Sequence, residues 1–426
     1  MKTIEQIYQY YSQRYLVSTD SRKIEEGCVF VALKGERFDG NDFAYQVAQD
    51  NIAACVIADR KDLPHHERLF IVDDSLTTLQ ELARLHREKC NIPIVGITGT
   101  NGKTTTKELT ASVLSKKYNI IYTQGNFNNH LGLPLTILRI KPDTEMAVVE
   151  MGANHPNEIA QLCSIANPDF GIITNIGKAH LEGFGSLEGV IKTKNELYDF
   201  IRNKKGKLFV NHDNKLLMDL SSDIDAVTYG KNEEADNKAD IVTSNPYLHI
   251  EWKGNTIKTN LIGDYNFENV MAAITVGRYF NIDEQLIVEA LESYYPANNR
   301  SQFIRSEKNE IVMDAYNANP VSMHHAIKNF RNISLDNSLL ILGDMRELGK
   351  DSEKEHKTIV GLIKELQFHD VILVGSEFKK TAGSDFMTFN DVDELLAYIN
   401  DNVITGKKIL IKGSNSIHLE KIVKSL

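Results

Sequence analysis

Cysteine is scarce in this chain: four in 426 residues, at Cys28, Cys55, Cys90 and Cys163. They are far apart and form no C-x-x-C pair. This excludes a disulfide frame and a zinc site, and predicts thiols in a reducing, cytoplasmic compartment. Basic charge is not in excess either. Lys and Arg number 48 against 58 Asp and Glu, a formal net charge of −10. That balance argues against a nucleic-acid partner or an anionic membrane face, and leaves room for a local basic pocket. No apolar run approaches the length of a membrane span. The first residues, Met1 to Tyr11, carry Glu5 with several Gln and Tyr, so no secretory signal is expected. Internal repeats and low-complexity tracts are missing. What remains, 42% hydrophobic and 25% charged, is an ordinary globular composition, and the length predicts two or three domains.

The most informative stretch is Ile94-Val-Gly-Ile-Thr-Gly-Thr-Asn-Gly-Lys-Thr-Thr-Thr106. A short apolar run reads as a buried strand. It breaks into Gly99, Thr100, Asn101 and Gly102, and Lys103 and Thr104 open a helical pattern. A strand, a glycine turn and a helix N-terminus make an anion cradle, because N–H groups and the helix dipole converge on one spot. The glycine that opens the longer phosphate-loop spacing is replaced by Ile97, so this is the shorter G-x-x-G-K-T form. Lys103 would hold β/γ-phosphates and the Thr104 hydroxyl would sit on Mg²⁺.

Around this loop the chain predicts an α/β protein of three units, 1–88, 89–296 and 297–426. The first is a small α/β domain with strands at Cys28–Leu33, Ala53–Ile57 and Leu69–Val72 and helices at Ala44–Asp50 and Thr77–Lys89. In the second, strands at Ile94–Thr98, Met146–Glu150, Phe170–Thr174 and Lys207–Asn211 alternate with helices, the rhythm of a P-loop ATPase-type parallel sheet. The polar stretch Lys231–Lys238 breaks that rhythm. A hairpin of Tyr247–Trp252 and Thr256–Leu261 follows. The third, with strands Ile311–Asp314, Leu339–Leu342, Val371–Val374 and Lys408–Ile411, reads as Rossmann-like.

Ligands of open parallel sheets gather at the carboxyl ends of the strands. Glu150 ends one strand and is placed to hold Mg²⁺. His180 lies on a loop at the same edge and is a candidate metal or phosphate contact. Residues 123–134, with Asn126, Asn128 and Asn129, form a hydrogen-bonding loop suited to a polar ligand. Asn266 and Asn269 share a helix face, where paired amides could read adenine or one could serve as a cap. Lys194, taken alone, reads as a solvated helix lysine. Asp314 with Asn317 and Asn319, the segment from Gly343-Asp344 to Gly349, and Lys412–Asn415 end strands of the third unit.

Taken together these segments resemble the Mur ligase family. The resemblance runs along essentially the whole chain. It is carried by Asp20-Ser21-Arg22, Phe30–Gly40, Gly99–Thr105, Gly125–Asn129, Glu150–Ala153, Ala179–Ser186, Asn317–Pro320 and Leu342–Gly349. It implies a UDP-sugar-binding domain, a central ATPase and a C-terminal domain closing over the cleft. It implies ATP-dependent amide bond formation through an acyl phosphate, with ATP and Mg²⁺. The last two segments point to the branch whose small-molecule substrates are UDP-N-acetylmuramoyl-tripeptide and D-alanyl-D-alanine, working as a monomer in peptidoglycan precursor synthesis.

By resemblance, Lys103 holds phosphates, Thr104 and Glu150 one Mg²⁺, and His180 helps hold a second. Lys194 matches a carbamylated lysine. Gly99, Thr100, Asn101, Gly102 and Thr105 complete the ATP loop, Asn266 and Asn269 flank the adenine, and Arg300 and Asp314 reach ATP from the third domain and its junction. Asp20, Ser21, Arg22, Asn126, Asn128, Asn129, Asn317, Asn319 and Asp344 are implied substrate contacts. The chain departs from the common pattern at Tyr265, where His is frequent, and at Asn195, Asn299 and Asn415. Two other readings use the same loop. A folylpolyglutamate synthase lacks the N-terminal segment 20–40, and a nucleotide switch would not need Glu150, His180 and Lys194 together.

Overall fold

The computed structural model describes residues 2–36, 38–297, 299–333 and 337–426. Arg37, inside the segment Phe30–Gly40, lies outside them. The described residues form four sheets. A parallel four-stranded sheet, Val17–Ser18, Val29–Val31, Cys55–Ala58 and Leu69–Ile71, serves the first unit. Its three later strands carry the apolar runs read from sequence, and the helix predicted over Thr77–Lys89 starts two residues earlier. Asp74 sets that start, its carboxylate accepting the Thr77 N–H at 2.6 Å.

The central sheet has seven parallel strands. Ile94–Thr98 lies between Met146–Glu150 on one side and Phe170–Ile173 on the other. Both Ile94–Thr98 and Met146–Glu150 are buried along their whole length, as expected of strands covered by helices on both faces. After Ile94–Thr98 the chain builds outward to Ile120–Tyr122, then crosses over to Phe170–Ile173 and beyond. The phosphate loop therefore sits at the switch point of the sheet, where an open α/β sheet leaves a crevice. The polar stretch 231–238 is less of a break than expected, since Asn237–Lys238 adds a last parallel strand. The hairpin is present, Tyr247–Trp252 with Asn255–Ile262, and Asp240–Thr243 makes it three-stranded.

The C-terminal sheet has six strands. Glu310–Asp314, Lys408–Lys412 and Ser338–Gly343 are adjacent and parallel, so Asp314, Lys412 and Gly343 end side by side. An edge strand, Gln302–Arg305, runs antiparallel. Among the described residues no helix is long and apolar enough to cross a membrane.

Candidate functional site

Two glycines shape the loop. Gly102 has φ +78°, and a Cβ there would stand 2.4 Å from Asn269 Oδ1; Gly99 has φ +143°, and a Cβ would meet Thr174 Oγ1 at 2.0 Å. Neither position tolerates a side chain. The helix Lys103–Leu114 starts directly behind Gly102. Lys103 folds back over the hollow, its Nζ donating to the carbonyls of Gly99 at 2.7 Å and Thr100 at 3.0 Å. Burial pulls this ammonium down to about 8, partly offset by Glu150 and reinforced by Arg300.

Thr104 Oγ1 donates to Glu150 Oε2 at 2.9 Å, and Asn128 Nδ2 donates to Glu150 Oε1 at 2.8 Å. Hydroxyl and carboxylate together are hard oxygen donors. Among the described residues no three His, Cys, Asp or Glu side chains gather as a metal group. That suits Mg²⁺, which takes one or two protein oxygens and fills its shell with phosphate and water. A site for a phosphate-bound Mg²⁺ therefore fits Thr104 and Glu150, and a closed all-protein metal cage does not.

These groups line one cavity of about 870 Å³. The central sheet contributes Thr100 to Thr105, Asn128, Asn129, Glu150, His180, Asn266 and Asn269; the junction and the C-terminal sheet contribute Arg300, Asp314 and Asn317. The structure thus brings together fifteen of the sequence-predicted residues from the central unit, the junction and the C-terminal unit.

Others stand elsewhere. Lys194 is not a solvated helix lysine: it is 2% exposed. It lies behind the cavity wall with Nζ 5.5 Å from the Phe184 ring centroid. Burial, together with the Lys103 charge, pulls its pKa to about 7, against the pull of Glu158 and Glu196. Asp344 is fully buried, and its carboxylate accepts the N–H groups of Glu377 and Phe378 at 3.0 and 2.9 Å. Its carboxylate holds the first turn of the helix Ser376–Ala382, and Asp344 is not among the residues that line the cavity. Asn319 is off the wall too, but its Nδ2 donates to Asn101 Oδ1 of the phosphate loop at 2.8 Å. Asn126 is exposed outside the cavity. Asp20, Ser21 and Arg22 lie in the first unit, with Arg22 Nε on Asp20 Oδ1 at 2.9 Å.

His180 lies on the wall, its Nδ1 against the Glu347 carboxylate but not aligned for a directed hydrogen bond. The two predicted adenine residues are bonded to one another, Asn269 Nδ2 to Asn266 Oδ1 at 2.9 Å. Asn269 Oδ1 also accepts the Thr106 hydroxyl at 2.9 Å. The Thr106–Asn269 bond thus ties the phosphate-loop helix to the helix Phe267–Tyr279.

Sequence reasoning placed Arg300 at the ATP site and Lys412 at a strand end, but gave no role to the wall residues Tyr316, Asp213, Lys231 and Glu268. Lys412, 2% exposed, donates to Asp314 Oδ2 at 2.6 Å. The Arg300 guanidinium lies 3.7 Å from the centroid of the Tyr316 ring, a stacked cation–π pair. Asp213, Lys231 and Glu268 line the far end. Asp213 follows the strand Lys207–Asn211, so the strand-end rule that found Glu150 could have found it.

A phosphate loop, a Mg²⁺-type oxygen pair and a second sheet edge facing them describe an ATP-using α/β enzyme. The chain belongs to the Mur ligase family. Family models match in sequence order: the Mur ligase family catalytic domain at residues 14–87, the Mur ligase middle domain at 97–277 and the Mur ligase glutamate ligase domain at 299–415. The UDP-N-acetylmuramoyl-tripeptide--D-alanyl-D-alanine ligase of Bacillus subtilis is 37% identical over 96% of this chain and 92% of its own length. The crystal structure of MurF from Acinetobacter baumannii superposes with a TM-score of 0.87 at 29% identity, covering 99% of this chain and 98% of that one. MurF ligase from Thermotoga maritima in complex with ADP gives 0.84 at 29% identity, covering 96% of each chain.

Proposed function

We infer that this chain joins D-alanyl-D-alanine to UDP-N-acetylmuramoyl-tripeptide, with ATP and Mg²⁺, giving UDP-muramoyl-pentapeptide, ADP and phosphate in cytoplasmic peptidoglycan precursor synthesis. The observation that carries this reading is the single cavity in which Thr100–Thr105 faces Asp314, Asn317 and Lys412. A phosphate donor and an acceptor need both sheet edges in one place.

The tripeptide's terminal carboxylate oxygen attacks the γ-phosphorus of ATP and ADP leaves. The free amine of D-alanyl-D-alanine then attacks the acyl carbon, loses a proton, and phosphate leaves. Lys103 holds the β/γ-phosphates and offsets charge on the moving phosphoryl group. Thr104 and Glu150 hold one Mg²⁺ and His180 helps hold a second; when bound, such ions neutralise the two anions that must meet. Asn128 orients Glu150. Lys194, held near neutrality, carries a CO₂-derived carbamate that serves the metal site. Its neutral amine is what carbamylation requires, and its burial supports that role. Asn266 and Asn269 flank the adenine, with Arg300 and Asp314 closing from the junction. Asp20, Ser21 and Arg22 serve the UDP-sugar, and Asn126, Asn128, Asn129, Asn317 and Asn319 the peptide side. Residues 1–88, 89–296 and 297–426 act as three domains of a monomer that takes no nucleic acid. Closure of the third domain excludes water from the acyl phosphate.

The test is mass spectrometry of products from ATP, D-alanyl-D-alanine and a panel of UDP-muramoyl-tripeptides with diaminopimelate or lysine third. One dipeptide should be added, and phosphate should be released only with both substrates present. Phosphate release with neither substrate and no peptide product would refute the ligase reading.

A further inference from the structure

Tyr265 stands out in the sequence only as an unusual residue, and the chemistry above gives it no part. Its position gives it one. The ring packs directly over Gly263, where an added Cβ would come within 2.3 Å of Tyr265 Cε1. That contact fixes the direction of the phenol. Its oxygen lies 2.9 Å from Ser301 Oγ, and either group can donate. Ser301 N–H in turn donates to Asp314 Oδ1 at 3.2 Å. The other Asp314 oxygen accepts from Lys412 Nζ at 2.6 Å, and Lys412 also donates to the Asn317 carbonyl at 3.2 Å. One unbroken chain of hydrogen bonds therefore runs from the turn before the helix Phe267–Tyr279, through the junction, to two adjacent strand ends of the C-terminal sheet. All of its members line the cavity.

The junction needs such a clamp. Asn299 has φ +57° and Ser301 has φ +46°. Both are left-handed positions without glycine, which a free chain disfavours. Arg300 sits between them, and this double left-handed turn presents its guanidinium to the cavity and to Tyr316. The phenol is well placed to act as a clamp: burial raises its pKa far above neutrality, and Asp314 raises it further, so it keeps its proton.

We propose that Tyr265 is a positioning residue for the nucleotide: through Ser301 it holds the junction in the turn that points Arg300 and Asp314 at ATP. It touches neither reacting atom. It acts by raising the fraction of molecules whose junction is already set, and apparent ligand affinity scales with that fraction. The proposal rests on the reading of the cavity as an ATP site.

The test is a double-mutant cycle with Tyr265→Phe, Ser301→Ala and both together. The readouts are the dissociation constant of a non-hydrolysable ATP analogue with Mg²⁺, the ligation kcat at saturating ATP, and the melting temperature without nucleotide. Loss of one such hydrogen bond predicts analogue binding weaker by about tenfold in each single variant. The double variant should be no weaker than the singles, because the two groups form one link. kcat at saturation and the melting temperature should stay near wild type, which a merely structural tyrosine would not allow. Analogue binding by Tyr265→Phe within about twofold of wild type would overturn the proposal, and so would single effects that multiply in the double variant. Weaker binding accompanied by a lower melting temperature and a lower kcat would also overturn it. A wild type that fails to ligate but binds the analogue would strike the ligase reading alone, and the cycle on binding would still decide the relay.

Discussion

The first and third units meet the central sheet through seams of opposite character. The N-terminal seam is a continuous core. Ile7, Tyr11, Leu79 and Leu82 share one apolar cluster with Ile94, Leu133 and Ile137 of the central unit. Tyr11 OH donates to the Leu138 carbonyl at 2.7 Å. Arg87, 6% exposed, donates to the carbonyls of Ala166 and Asn167 and pairs with Asp169 at 3.0 Å. The C-terminal seam is mostly polar. It includes Asn319 on Asn101 at 2.8 Å, Lys178 on Glu355 at 3.0 Å, Asn329 on Asp264 at 3.4 Å, Tyr265 with Ser301 at 2.9 Å, and Glu347 against His180. The C-terminal core takes in Ile262 from the central unit, with Tyr247 packed at its margin. Water can replace contacts of the second kind at small cost, about 0.5–1.5 kcal/mol each. It cannot replace a shared apolar core. The first seam is therefore a weld and the second a latch, and the latch is the seam beside which Asp314 and Lys412 share a cavity with the phosphate loop.

The largest effect should come from breaking the weld. Tyr11→Ala removes a fully buried aromatic from the shared core, and should cost about 3–5 kcal/mol. The first and central units should still melt in one calorimetric transition. Two well-separated transitions would mean that the seam is no weld.

Lys103→Ala leaves both seams alone. Ligation should fall by about 10²–10³-fold, as when one preorganised charge donor is removed. The melting temperature should hold or rise, because a buried ammonium is lost. A variant turning over at a near-normal rate would discard the phosphate-loop reading.

Lys194 yields a pH dependence. Its folded pKa of about 7 lies below the ordinary value of 10.5, so between those values the unfolded chain holds a proton that the native chain lacks. Stability should rise with pH through that window and should be lowest below it. Denaturant titrations from pH 6 to 9 should show that rise, flattened in Lys194→Met. Bicarbonate activation should grow over the same range as the amine loses its proton, and Lys194→Arg should abolish it. Wild-type rates in Lys194→Arg would end the carbamate assignment.

Some of this was legible in the residues. Ile94–Thr98, Met146–Glu150, Lys207–Asn211 and Val371–Val374 were bounded correctly because they are apolar runs flanked by turn residues. The helix Lys2–Tyr11 was not read: a Gln- and Tyr-rich segment becomes a helix there by laying Ile7 and Tyr11 on the shared core. The edge strand Gln302–Arg305 and the three-residue strand Ile120–Tyr122 are too short to signal themselves. At the site, local spacing located Lys103, Thr104 and Glu150, whose chemistry is set by one turn and one strand end. Burial is a tertiary property, so Lys194 looked solvated and Asp344 looked available. The link between Tyr265 and Ser301 joins residues 36 positions apart, and no local pattern announces it.

The smallest effect should come from the latch. Lys178→Ala combined with Asn319→Ala should change the stability of the free protein by no more than about 1–2 kcal/mol, since one pair is half exposed and the other is a single amide bond. Its KM for ATP should nevertheless rise severalfold. A loss of stability as large as that of Tyr11→Ala would erase the distinction between the seams.

The most direct test is a pair of distance measurements in one protein. Spin labels at Glu26 and Lys116 span the weld, and labels at Lys116 and Asn402 span the latch, with the half-buried Cys90 replaced by serine. Adding an ATP analogue, Mg²⁺ and UDP-muramoyl-tripeptide should narrow and shift the second distance while the first stays unchanged. A second distance indifferent to saturating ligands, or a first distance that moves as much, would contradict the account.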